Sequence, residues 1–63
     1  MFCVMCENHD SGKTFLIKET GSRPSVANLH RMLRADLTDD QMGMVRNGTR
    51  QRAGAVSYWV AKI

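Results

Sequence analysis

The spacing of apolar positions changes character along the chain, and each change marks an element. Met1 to Cys6 is an unbroken apolar run, the pattern of a strand buried on both faces. Asn8-His-Asp-Ser-Gly12 is a cluster of turn formers, and Thr14-Phe-Leu-Ile-Lys18 returns to β-branched and aromatic types. Residues 1–19 therefore read as a hairpin, ended by Gly21-Ser-Arg-Pro24.

From Val26 the period becomes helical. Val26, Leu29 and Leu33 recur at i, i+3 and i+7, and Ser25 is placed to cap this helix, which should end near Ala35. A second start signal follows at once. Thr38-Asp-Asp-Gln41 fits the capping box, in which the threonine hydroxyl accepts from the Gln41 amide and the Gln41 side chain reaches back. Leu37 and Met42 occupy the two positions of a hydrophobic staple. Asp39 and Asp40 suit the positive end of the helix dipole, Arg46 the negative end, and Asn47-Gly48 closes the helix.

Gly48 to Gly54 has no periodicity, only polar residues and arginines. Ala55 to Ile63, with Val56, Tyr58, Trp59 and Val60, reads as a final strand. The expectation is a single α+β domain over residues 1–63, of order ββααβ. A three-stranded antiparallel sheet would have the first strand at its centre and two short helices packed on one face, with the arginine segment as a wing-like projection.

Charge adds a direction to this outline. The chain has nine Lys and Arg against six Asp and Glu, a formal net charge of +3. Residues 1–20 carry net −1, and the positive excess lies in the last two-thirds, where six of the seven cations are arginine. Arginine suits planar, bidentate contact with phosphate or carboxylate. The longest apolar run is far short of the ~20 residues that span a bilayer, and it lacks the basic flank of a signal peptide. The expectation is a cytoplasmic protein with no membrane partner. In so short a chain a homodimer is one route to extra stability.

Candidate metal chemistry centres on Cys3, Cys6, His9 and His30, four residues of zinc-binding type. Residues three apart on a strand face opposite ways with α-carbons ~10 Å apart, too far for one metal or a disulfide. The cysteines are read as core thiols, and no cofactor is expected. Gly12-Lys13-Thr14 has the last three residues of a phosphate-binding loop, but Glu7 stands where its first glycine belongs. A helix-turn-helix would present Asp39 and Asp40 to DNA, which is electrostatically unfavourable.

The anion-binding expectation rests instead on Arg46, Asn47, Thr49, Arg50, Gln51 and Arg52, an acid-free segment suited to following a phosphate backbone. Arg31, Arg34 and Arg23 extend it. Tyr58 and Trp59, adjacent on a strand, must face opposite sides; Trp59 is assigned to packing against the helices, and the other ring is free to stack on a base or enter a partner's pocket. No nucleophile and base are placed together, so an enzyme is not expected.

Two functions remain. One is a small nucleic-acid-binding accessory or regulatory protein, contacting a DNA or RNA backbone through the arginine segment. The other is a protein-binding inhibitor or modulator of a larger host complex, of the kind used by phages and other mobile elements, meeting an acidic partner surface with the same arginines or pairing through a sheet edge.

Overall fold

The apolar N-terminal run forms β1 (Phe2–Asn8), which the computed structural model, describing residues 1–63, places in the interior of a sheet. A turn at residues 9–12 leads to β2 (Lys13–Thr20), and two eight-residue helices follow, α1 (Val26–Leu33) and α2 (Asp39–Arg46). The chain closes with β3 (Gln51–Ala53) and β4 (Val56–Lys62). All pairings are antiparallel, and the sheet order is β2-β1-β4-β3.

The sheet thus has four strands where the sequence suggested three. The arginine segment does not project as a wing. Its residues 51–53 fold back along β4, Ala53 opposite Val56 and Gln51 opposite Tyr58. The hairpin is closed by Gly54-Ala55, with Gly54 at φ +64°. Glycine in the first of two central positions is what a type II′ turn requires, and such a turn matches strand twist.

Strand alternation divides the side chains between two faces. Val4 opposes Val60 and Cys6 opposes Tyr58 on the face that receives both helices. There Val4 and Val60 join Leu29, Leu37, Met42 and Val45 in one buried cluster. The capping box forms as its residues predict: Thr38 Oγ1 accepts from the Gln41 amide at 3.2 Å, and the Thr38 amide donates to Gln41 Oε1 at 2.9 Å. Leu37 and Met42, the staple pair, are both buried. Ser25 caps α1 as expected, accepting from the Asn28 amide.

The other face of the sheet has no helix over it. Cys3, Met5 and Glu7 of β1 lie there opposite Ala61, Trp59 and Ser57 of β4. The first strand is therefore interior but covered on one side only, and its unbroken apolar run overstates its burial. Along β2 a register shift opposite the Val4/Met5 step pairs Leu16 with Met5 and Lys18 with Val4, leaving Ile17 without a partner on β1. Phe15, Leu16 and Ile17 remain exposed on this outer strand.

Candidate functional site

Residues directly opposite on paired strands share a face, so the ladder that sets Met5 against Trp59 sends the indole to the helix-free side. Tyr58 turns to the helices and packs against the core. This reverses the expected assignment of the two rings. Parity alone separates them, and it does not say which face the helices will cover.

Continuing the β3–β4 register back by one residue brings Arg50 alongside Trp59. Its guanidinium carbon lies 3.9 Å from the indole centroid, well inside the range of a cation–π contact. Glu7 Oε1 accepts from Arg50 Nη1 at 2.5 Å. The guanidinium is thus held over the ring by a carboxylate from β1. More than half of the Arg50 side chain stays in solvent (56%), so the face turned away from the indole is open. Arg52, two residues along β3, shares this side of the sheet opposite Ser57. Its Nε donates to the Gly54 carbonyl at 2.7 Å, which orients the side chain and leaves the terminal nitrogens unengaged.

The remaining expected residues are distributed over α1, the end of α2 and the connection into β3. Arg46 ends α2 in the helix layer, across the sheet from Arg50 and Arg52, and its carbonyl accepts from Arg23. The Asn47 and Thr49 amides close the helix by donating to Gly43 and Met44 carbonyls. Gln51 points back to α2, its amide nitrogen 3.5 Å from Met44 Sδ. Arg34 is the left-handed residue that ends α1, at φ 50°. Arg31 lies on α1, remote in the fold from β3. Of the eight expected residues, Arg50 and Arg52 share the helix-free side of the sheet with Trp59, while Arg31 and Arg46 belong to the helices.

Cys3, Cys6, His9 and His30 do not converge. The strand turns the two free thiols to opposite faces. His9 Nε2 is 2.7 Å from Ser57 Oγ, and His30 Nε2 is 2.7 Å from Asp39 Oδ1. The His30 contact ties α1 to the first turn of α2. The His9–Ser57 pair has the heavy-atom spacing of a base and its nucleophile, but Ser57 is only 6% exposed and the molecule's cavity lies elsewhere, beside α1. This bond fastens the first turn to β4. Glu7 was the member of the Arg50 site that the sequence did not flag, because 43 residues separate the pair.

No helix is long and apolar enough to cross a membrane. Compared with known proteins, the chain has no significant match to a family model, a curated protein or a solved structure.

Proposed function

We propose that the protein is a non-catalytic nucleic-acid-binding protein that takes single strands on the helix-free face of its sheet. The observation that carries this reading is the Trp59–Arg50 contact, held by Glu7 on the face of the sheet that carries no helix. Bases of an unpaired strand stack on aromatic rings and on guanidinium planes alike. Arg50 offers such a plane, and Arg52 stands beside it for a phosphate. A duplex keeps its bases stacked inside and gains nothing from such a platform.

The charge balance sets the expected strength. Glu7 neutralises part of this face, so binding draws on stacking more than on phosphate contact. Two arginines engage at most two phosphates, which limits the slope of log K against log salt to about −1.4 for a single strand. Fluorescence of Trp59, the single tryptophan, reports the event directly. Single-stranded oligonucleotides are expected to quench it saturably at low salt, and duplexes of the same sequence to leave it unchanged. Trp59→Leu, which removes the ring that supports the Arg50 plane, should weaken binding of a labelled oligonucleotide. Absence of quenching by any single strand at low salt would remove the proposal.

A second reading rests on a different observation. β2 is an outer strand with Phe15, Leu16 and Ile17 exposed, a surface suited to a strand supplied by a protein partner. Here Ile17→Lys should abolish partner binding while leaving oligonucleotide quenching intact.

A further inference from the structure

We infer that the cleft between the end of β2 and α1 is a second, separate site, which binds a phosphate monoester through Lys18, Arg23 and Arg31. It lies on the helix side of the sheet, so it does not depend on the Trp59 platform. Lys18 and Thr20 oppose Val4 and Phe2, and this register turns them towards the helices. Being on the outermost strand, they extend past the core, and the space between them and α1 stays open. The resulting cleft has a volume of about 420 Å³, within the range of small-molecule sites. Lys18, Thr20, Ser22, Arg23, Asn28 and Arg31 all line it.

The three cations there have no anionic partner. Arg23 Nη1 donates to the Arg46 carbonyl at 2.6 Å, and its guanidinium carbon sits 5.0 Å from the Phe2 ring centroid. Arg31 Nη2 donates to Asn28 Oδ1 at 3.0 Å. Both contacts fix the direction of a guanidinium without cancelling its charge. The Glu7–Arg50 ion pair and the Asp39–His30 hydrogen bond are elsewhere. Glu19 follows Lys18 in sequence but opposes Cys3 on the other face of the sheet.

Three cations meeting in one concave space favour a dianion over a monoanion. A monoester phosphate brings close to two negative charges and three free acceptor oxygens, whereas a diester inside a nucleic-acid chain brings one charge. Guanidinium forks match phosphate oxygens in pairs, and lysine adds a point charge. The Ser22 hydroxyl and the Asn28 amide nitrogen supply neutral donors. Six of the eight lining residues carry polar side chains, Pro24 and Met32 being the exceptions, which suits a hydrated phosphoryl group. The volume also leaves room beside the phosphoryl group for the alcohol it esterifies.

The test is a titration of the full chain in phosphate-free buffer, followed by backbone amide chemical shifts. Inorganic phosphate and adenosine 5′-monophosphate are the two probes, with adenosine and matched chloride as controls. Both probes are expected to shift amides of residues 18–32 saturably, and the controls to leave them in place. A tighter fit for the nucleotide would mean that the esterified group is held too; equal affinity would mean that the phosphoryl group alone is read. Lys18→Gln and Arg31→Gln are exposed positions outside the core, and each should weaken binding about tenfold or more. Non-saturating shifts, or shifts that chloride reproduces or that survive both substitutions, would overturn the inference. Phosphate should leave Trp59 fluorescence unchanged, so failure here and failure of the sheet-face reading give different results.

Discussion

Burial against the helices raises the Tyr58 phenol above the usual tyrosine range, and the Cys6 thiol opposite it on β1 acts in the same direction once ionised. The folded protein therefore holds this proton to higher pH than the unfolded chain does. Stability from this residue is complete below about pH 10 and is lost as pH rises beyond it, because the unfolded state releases its proton first. Tyr58 is the single tyrosine, so Tyr58→Phe isolates its contribution. Urea denaturation at pH 8 and at pH 11 should show a smaller drop for the variant than for the parent chain. Equal drops would mean that the phenol is as hydrated as in the unfolded state. Its neighbour Trp59 illustrates the opposite case: one step along the same strand, it meets Arg50 and solvent instead of the core. A shift of β4 by one residue would exchange the two rings and dismantle the stacking platform.

Among the elements, α2 depends most visibly on its ends. It has eight residues, too few to persist alone in water, and its first turn is fixed by the reciprocal Thr38–Gln41 bonds. Thr38→Ala should cost about 1 kcal/mol, measured as a lower urea midpoint with an unchanged slope. A change in slope would instead show that the helix frays without global unfolding. This cap was legible in the sequence because all its parts lie within six residues, Leu37 to Met42. The hairpin of β1 and β2 was legible for the same reason. β3 was not: Gln51-Arg-Ala53 has no alternation of its own, and it becomes a strand only because Gly54-Ala55 folds it back on β4. The glycine-first, two-residue turn was the available signal. The binding surfaces were harder still to read. Glu7 and Arg50 meet across 43 residues, and the cleft gathers Lys18, Arg23 and Arg31 from a strand, a connector and a helix. Charge clustering in sequence pointed to Arg46–Arg52, yet strand alternation and capping divided that segment between two sides of the sheet.

On the scale of the whole molecule, 63 residues give a total stability of about 3–9 kcal/mol at the usual 0.05–0.15 per residue. The core that supplies it is small, six buried apolar side chains joining both helices to β1 and β4. Leu29 is fully buried at its centre, and Leu29→Ala should cost about 2–5 kcal/mol, enough to leave much of the population unfolded at 25 °C. Leu16 provides the contrast. It is 53% exposed on the helix-free face, so in an isolated chain Leu16→Ala should change stability by less than about 0.5 kcal/mol. Denaturation midpoints of the two variants, measured at low and high protein concentration, decide whether that face is free. If Leu16→Ala costs as much as Leu29→Ala, and the midpoint of the parent chain rises with concentration, then a second copy covers the outer strand and its neighbours. In that event the Trp59 platform would be reachable only from the dissociated chain. A small cost that does not depend on concentration leaves the whole face available to a ligand, the condition under which a stacked tryptophan and arginine can meet an unpaired base.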